Sequence, residues 1–175
     1  MNLKQLAWGK RVSKEFRDEV ANICAGFGWT EQHANWLMAC IAFESGETFS
    51  PSIKNAAGSG ATGLIQFMPS TALAMGTSVA QLATMAPEQQ LQYVRAYFRP
   101  YARKIKTLPD MYMAILLPKM VGAGPHAVLF NRGVAYRQNS GLDANKDGMV
   151  TKQEASAKVQ AKLLRGLQPG NVWEV

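Results

Sequence analysis

Cysteine is scarce in this chain. Cys24 and Cys40 are the only two cysteines among 175 residues, and they form neither a Cys-x-x-Cys pair nor a dense pattern. A disulfide-rich framework and a cysteine-based zinc site are therefore not expected. Both residues lie in apolar stretches with helical spacing, which predicts buried free thiols; a single disulfide between them is the alternative.

Long hydrophobic runs are also missing. The run over residues 111–117 ends at Pro118 and falls far short of the roughly 20 residues that cross a bilayer. Residues 1–16 lack the apolar core and cleavage site of a secretory signal, so we expect synthesis in a cytoplasm. No repeat or low-complexity block occurs, and 175 residues suffice for one core. We expect a monomer with a single domain over residues 1–175.

Acidic residues are few and unevenly distributed. The chain has 12 Asp and Glu against 19 Lys and Arg, a net charge of +7. Within residues 91–137, Asp110 is the one acid among eight basic residues: Arg95, Arg99, Arg103, Lys104, Lys106, Lys119, Arg132 and Arg137. Such a segment suits a polyanion or is a solvated face. No nucleic-acid-binding signature accompanies it, so we expect attraction to an anionic envelope and no nucleic-acid partner.

Helical spacing of apolar residues dominates the chain, and the alternating patterns typical of strands are scarce. Thr30 is a suitable N-cap, and Pro87 suits a first helical turn. The small residues of 55–63 predict an irregular loop or a short hairpin. We therefore predict a mainly α domain with helices over residues 10–27, 31–44, 70–75, 87–103, 110–117, 124–130 and 152–167.

A carboxylate lies on the apolar face of the predicted helix 31–44. Leu37, Met38 and Ile41 define that face, and Glu44 follows Ile41 by three residues and Leu37 by seven. Burial and the negative end of the helix dipole both disfavour an ionised carboxylate there. The pattern predicts a protonated Glu44, the state that a general acid needs. The alternative is a side chain that turns outward at a frayed helix end.

The segment around Glu44 contains three elements in a specific order. Glu44-Ser45 comes at the helix end, the small-residue loop follows, and Gly-Leu-Ile-Gln at 63–66 precedes Pro-Ser-Thr-Ala at 69–72. This arrangement resembles the catalytic region of the soluble lytic transglycosylases and goose-type lysozymes, above all of phage-encoded members. The resemblance implies a lysozyme-like fold with the irregular or hairpin segment near the active site.

The resemblance also implies residue roles. Glu44 would be the sole catalytic acid and base, Ser45 would help to position it or the substrate, and Gln66 would hydrogen-bond to the sugar beside the scissile bond. A glutamine side chain both donates and accepts hydrogen bonds, which suits acetamido and hydroxyl groups. No cofactor would be required for the chemistry.

The sequence departs from the family after this region. Family members usually carry a Tyr-Asn pair after an alanine-rich helix, whereas residues 110–124 here are DMYMAILLPKMVGAG. Tyr112, or Tyr136 and Asn139 further on, are the candidates to line the substrate cleft instead. The alternative is that these tyrosines belong to the core or to the groove wall.

Residues 143–154, DANKDGMVTKQE, fit the EF-hand calcium-loop pattern. Gly148 permits the sharp turn, and helix 152–167 follows the loop. One such loop without a pair favours a structural Ca²⁺ clamp over a sensor; a turn that folds without metal is the alternative. The candidate ligands are Asp143, Asn145, Asp147, Met149, Thr151 and Glu154.

These features predict a peptidoglycan-degrading enzyme that cleaves the bond between N-acetylmuramic acid and N-acetylglucosamine. A lytic transglycosylase that serves bacterial cell lysis is favoured, held in the host cytoplasm before it reaches the periplasm and cell wall. A hydrolytic muramidase using the same Glu44 and a non-catalytic wall-binding or virion module are the alternatives. A virion-associated lysin and a secreted effector also fit the sequence.

Overall fold

The computed structural model describes residues 1–175 and is mainly helical, as predicted. It has four strands of two or three residues: β1 (Gln5–Leu6), β2 (Val128–Phe130), β3 (Val150–Thr151) and β4 (Trp173–Glu174). Its eight α-helices are α1 (Lys14–Phe27), α2 (Glu31–Glu44), α3 (Pro69–Ala74), α4 (Val79–Thr84), α5 (Pro87–Phe98), α6 (Leu108–Leu116), α7 (Gly133–Asn139) and α8 (Lys152–Gly166).

The strands form two small antiparallel sheets. β1 pairs with β4, so the first and last residues of the chain lie side by side. β2 pairs with β3, with an irregularity between Val128 and Phe130. Residues 54–67 form an irregular hairpin in which Thr62 bridges to both Lys54 and Phe67, in agreement with the prediction for this segment.

Helix α2 is the centre of the fold. Every residue from 34 to 42 is buried, and α1, α6 and α8 pack around the helix. A helix that is apolar on all sides is stable only when it is enclosed in this way. Asn35 is the polar exception, and its Oδ1 accepts a 2.6 Å hydrogen bond from the Ala7 N–H of the N-terminal segment. Helix α2, which ends at Glu44, is therefore enclosed by the helices that pack around it.

A buried ion pair joins α6 to α8. Lys152 Nζ lies 2.6 Å from Asp110 Oδ1, and both side chains are almost fully buried. Lys152 also donates to the carbonyls of Met120 and Ala123, and Asp110 accepts from the Gly122 N–H at 2.8 Å. The pair thus fixes the loop that follows α6 as well as the two helices.

The prediction of a helix over residues 124–130 is wrong. Gly124 has no regular structure, Pro125 and His126 form a turn, and β2 follows them. The carbonyls of Pro125 and Ala127 accept hydrogen bonds from Gln153 and Lys152, so this backbone pairs with the start of α8. Pairing with a segment distant in sequence has overridden the local apolar spacing here.

Helix boundaries differ from prediction at two further places. α1 begins at Lys14 rather than at residue 10, because Ser13 is its N-cap and accepts from the Phe16 N–H at 3.0 Å. α5 ends at Phe98 rather than at residue 103, since Pro100 has no N–H to continue the helix. Helices α4 and α7 were not predicted.

Other predictions are confirmed. Thr30 is the N-cap of α2, and Pro87 is the first residue of α5. Cys24 and Cys40 are buried free thiols. No helix combines the length and the apolar character that a bilayer crossing requires.

Candidate active site

Glu44 is the last residue of α2, where the buried helix reaches the surface. Its side chain is partly buried, and burial raises the pKa of its carboxyl to about 7. No ion pair of the structure involves it. The carboxyl also lies at the negative end of the α2 dipole, which favours the neutral form. A substantial fraction of Glu44 therefore keeps its proton near neutral pH, whereas a glutamate of ordinary pKa would be almost fully ionised.

Two tyrosines lie within the electrostatic reach of Glu44. Burial, with a contribution from the charge of Glu44, raises the pKa of both the Tyr97 and the Tyr112 hydroxyl. Tyr112 is 3% exposed and packs edge-on against Phe43, with 5.5 Å between ring centroids. Tyr97 is more exposed, and its hydroxyl donates a 2.7 Å hydrogen bond to the Ala114 carbonyl. The structure thus brings Tyr112 close to the acid, but as part of the core.

A cleft of about 130 Å³ is lined by Tyr97, while Glu44 and Tyr112 are not among its lining residues. The end of the hairpin and the residues after it form one wall through Gln66 and Met68, while Tyr97, Ile115 and Pro118 form the other. Tyr97 links this cleft to Glu44, because Tyr97 lines the cleft and the charge of Glu44 contributes to the raised pKa of the Tyr97 hydroxyl. The end of α6 supplies an apolar wall at the place where the resemblance led us to expect a tyrosine.

Gln66 is held in the wall of the cleft by its own amide group. Its Nε2 donates to the carbonyls of Ile53 and Gly63, both at 3.1 Å. Its Oε1 has no donor within the protein and can accept a hydrogen bond from a ligand. Gln66 also has a left-handed backbone, with φ of 55°. Such strain is concentrated at functional sites, where the surrounding structure enforces it.

Ser45 is placed away from the cleft. Its side chain is fully buried, and its Oγ accepts a 3.0 Å hydrogen bond from the Phe49 N–H. The Ser45 carbonyl accepts a second bond, of 2.7 Å, from the Thr48 hydroxyl. Ser45 therefore organises the loop after Glu44, and its side chain has no access to a ligand.

Glu47, the acid nearest to Glu44 in sequence, is already paired. Its carboxylate lies 2.5 Å from Lys162 Nζ and 3.3 Å from Arg165 Nη2, both on α8. Its backbone is left-handed, with φ of 66°, which directs the loop toward α8. A second carboxylate is therefore not offered to the cleft from this loop.

Gln90 is a buried residue of α5 that the sequence did not single out. Its Oε1 accepts from the Leu64 N–H at 2.8 Å, and its Nε2 donates to the carbonyls of Pro51 and Leu82. A Cβ at Gly63 would lie 2.4 Å from Gln90 Oε1, so only glycine fits there. One side chain thus holds the cleft wall, the loop after α2 and helix α4 together.

We expect the substitution Gln90→Leu to lower the free energy of unfolding by about 3 kcal/mol, because it removes three hydrogen bonds and leaves the buried Leu64 N–H without a partner. Gln92→Leu, at an exposed position of the same helix, should change it by less than about 0.5 kcal/mol. Urea denaturation of both variants measures the difference. Equal stability of the two would contradict the role assigned to Gln90.

The remaining candidates lie at the calcium-like loop, 143–154. The Tyr136 hydroxyl donates to Asp143 Oδ2 at 2.8 Å, and Asn139 is the exposed last residue of α7. The structure therefore brings Tyr136 to the candidate metal loop and not to Glu44. Asn139 Nδ2 bonds to the Ala135 carbonyl of its own helix, at 2.9 Å.

The loop itself has several properties of a cation site. Asp143 is 8% exposed, and its Oδ1 is buried without a hydrogen-bond partner. Gly148 has a φ of 86°, as the sharp turn requires. Glu154, however, caps α8 by accepting hydrogen bonds from the Thr151 N–H and hydroxyl. No three Asp, Glu, His or Cys side chains converge on one point. Asn145 and Asp147 bond to each other at 3.1 Å.

Tyr97 and Gln90 are the residues of the site that sequence reasoning missed. Both lie on α5, whose buried face is marked by Leu91, Val94 and Phe98. Helical spacing places Gln90 next to that face, and a polar residue there is a signal for a structural hydrogen bond. Tyr97 carries no comparable signal.

A mainly helical domain with a glutamic acid of raised pKa at the end of a buried helix fits the lysozyme-like class of glycan-cleaving enzymes. Residues 29–116 match the model of the transglycosylase SLT domain family, and this span is half of the chain and includes Glu44, Gln66 and Tyr97. The protein therefore belongs to that family, whose activity is the cleavage of glycosidic bonds in peptidoglycan. No curated protein and no solved structure matches the chain.

Proposed function

We propose that the protein is a lytic transglycosylase that cuts the bond between N-acetylmuramic acid and N-acetylglucosamine, with Glu44 as its only catalytic carboxyl. The observation that carries the proposal is the pKa of Glu44, which burial raises to about 7. The pairing of Glu47 with Lys162 and Arg165 adds support, because it leaves no second carboxylate in this loop to activate a water.

The proposed reaction uses Glu44 twice. The protonated carboxyl first gives its proton to the glycosidic oxygen, and the bond between that oxygen and the muramyl C1 breaks. The resulting carboxylate then takes the proton of the muramyl C6 hydroxyl as the C6 oxygen bonds to C1. Glu44 ends protonated, and the product is a 1,6-anhydromuramyl end. A pKa near neutrality suits both steps.

The surrounding residues would orient the glycan. Gln66 has a free amide oxygen for a sugar hydroxyl or an acetamido N–H, and its Nε2 is already held by the loop. The apolar wall of Tyr97, Ile115 and Pro118 would pack against a sugar ring. We propose bacterial cell lysis of the phage type as the setting, with the enzyme kept in the host cytoplasm until it reaches the wall.

Mass analysis of digested sacculi tests the reaction. We expect the released muropeptides to be lighter by one water than the hydrolysed forms, because the C6 oxygen replaces water as the nucleophile. Products with a reducing muramic acid end would contradict the transglycosylase and assign a muramidase. Folded protein that releases no muropeptide would contradict both and support a non-catalytic wall-binding module.

We further propose that the loop 143–154 holds a structural calcium ion. The unpartnered Oδ1 of Asp143 and the turn at Gly148 support this. Asp143, Asn145, Asp147 and Thr151 would supply side-chain oxygens and Met149 its carbonyl. Glu154 would have to turn from its cap on α8 to close the site. The ion would tie α7 to α8 and would take no part in the chemistry.

Calcium should therefore raise the melting temperature. At a concentration about 100 times the dissociation constant, binding adds about 2.7 kcal/mol, and about 5 to 10 °C is expected for a chain of this size. Differential scanning calorimetry with calcium and with a chelator measures the shift. Asp143→Asn should abolish it, whereas Asp18→Asn on the exposed face of α1 should leave it intact. An unchanged melting temperature in calcium and in chelator would exclude the ion.

A further inference from the structure

A second cleft, larger than the one lined by Gln66 and Tyr97, lies apart from Glu44. It measures about 540 Å³ and is bounded by the end of α1 and by the end of α5 with the turns that follow. Arg95, Arg99, Arg103 and Lys104 line it, and no acidic residue does. Half of the eight cations of the basic segment 91–137 thus converge on one cleft.

Arg95 is held in this cleft without a partner. Its guanidinium rests against α1 at Gly26, where a Cβ would lie 2.6 Å from Nη2, so a larger residue at position 26 would require the guanidinium to move. Its Nε is buried and has no hydrogen-bond partner. A buried donor of this kind is costly unless an acceptor arrives. The guanidinium of Arg95 thus lines the cleft with no counter-charge from the protein.

The other three cations are free as well. Arg99, Arg103 and Lys104 are exposed, and none of the four is in an ion pair, whereas Lys14, Lys152, Lys162 and Arg165 are. Cations near helix C-termini offset the helix dipole, and α1 and α5 both end here. That effect explains one cation at each end. It does not explain four around a single cleft with no counter-charge.

We propose that this cleft binds the phosphate of an anionic phospholipid headgroup and so holds the protein at a membrane surface. Arginine forks match the oxygens of a phosphate, and exposed lysine and arginine gain from a negative bilayer surface. The cleft is compact, which suits one headgroup better than a nucleic-acid strand. Phe27 and Pro100 add apolar surface among the cations, as the boundary of a bilayer requires.

This site is independent of the glycan chemistry, since it shares no residue with the cleft lined by Gln66 and Tyr97 and does not include Glu44. Its consequence would be to concentrate the enzyme where a membrane adjoins the wall. The basic segment would then act through a defined site and not through diffuse charge. Binding should weaken as salt rises, because the ligand contacts are charged.

Sedimentation with phosphatidylcholine vesicles, with and without phosphatidylglycerol, tests the proposal. We expect the protein to bind only the anionic vesicles, and the double variant Arg99→Gln/Arg103→Gln to bind about tenfold less tightly. The matched control is Arg132→Gln/Arg137→Gln, which removes two exposed arginines of the same segment. It should stay within about twofold of the unchanged protein. Both variants should digest isolated sacculi at the normal rate, which separates this test from that of the enzymatic function.

Three results would overturn the site. The first is equal loss of vesicle binding in both double variants, which would mean diffuse charge. The second is failure of the unchanged protein to bind anionic vesicles. The third is binding of single-stranded DNA in preference to vesicles with loss of that binding in the cleft variant, which would assign the cleft to a nucleic acid. Circular dichroism checks that each variant is folded.

Discussion

Glu44→Gln is expected to reduce the digestion of purified sacculi by at least about a thousandfold. Glutamine keeps the shape of the side chain and its place at the end of α2, but it has no proton to give to the leaving oxygen. Release of soluble muropeptides measures the loss. The expected effect is large because the structure offers no other carboxyl near the cleft that could take over.

Glu47→Gln is the matched control for this loss. Glu47 is paired with Lys162 and Arg165, so its substitution should affect stability more than turnover, and activity should stay within about tenfold. Comparable inactivity of the two variants would indicate a mechanism with two carboxylates. Normal activity of Glu44→Gln would remove Glu44 from the reaction.

The stability of Glu44→Gln shows that the variant is folded and also tests the pKa. The carboxyl has a pKa of about 7 in the folded chain and 4.5 as its ordinary value. Its ionisation therefore destabilises the folded state progressively between these pH values, and the full penalty applies above about 7. After allowance for partial exposure, we expect Glu44→Gln to be about 2 kcal/mol more stable than the unchanged protein at pH 8. Below pH 4.5 the gain should vanish.

Lys152→Met should lower the free energy of unfolding by about 5 kcal/mol, the largest loss of stability that we expect from one substitution. It leaves Asp110 as an uncompensated buried charge and removes the donor of the Met120 and Ala123 carbonyls. Lys158→Met, at an exposed position of α8, should change the stability by less than about 0.5 kcal/mol. Urea denaturation of both variants measures the contrast.

The partner residue provides the counter-test. Lys152→Met combined with Asp110→Leu should recover much of the loss, because no buried charge then remains unpaired. If the single and the double variant were equally unstable, packing and not charge would hold α6 to α8.

The Lys152–Asp110 ion pair should also make the free energy of unfolding depend on pH in the acidic range. Burial tends to raise the pKa of Asp110, but hydrogen bonds from Lys152, Gly122 and Lys106 outweigh it and hold the pKa below 3.8. The stabilisation is thus complete above the unfolded pKa of 3.8 and is lost as the pH falls through the lower folded value.

The sequence predicted the parts of this fold that depend on local periodicity. Helix α2, its cap at Thr30 and the buried thiols follow from apolar spacing, and the position of Glu44 on that helix gave its raised pKa. The order of motifs after Glu44 indicated the transglycosylase family. These features share one property, since each is contained within about thirty consecutive residues.

What the sequence could not predict depends on contacts between distant segments. Residues 124–130 have apolar spacing but pair with the start of α8. Tyr136 was a candidate for the cleft, yet its hydroxyl bonds to Asp143. Tyr97 lines the cleft while its hydroxyl bonds to Ala114 of α6, a contact between two helices that no local pattern specifies.

A crystal structure of Glu44→Gln with a bound N-acetylglucosamine oligomer would test the central claim most directly. The account predicts a glycosidic oxygen within hydrogen-bonding distance of the substituted side chain, a sugar group on the free Oε1 of Gln66, and a ring against Tyr97. An oligomer bound elsewhere, with the cleft lined by Gln66 and Tyr97 empty, would contradict it.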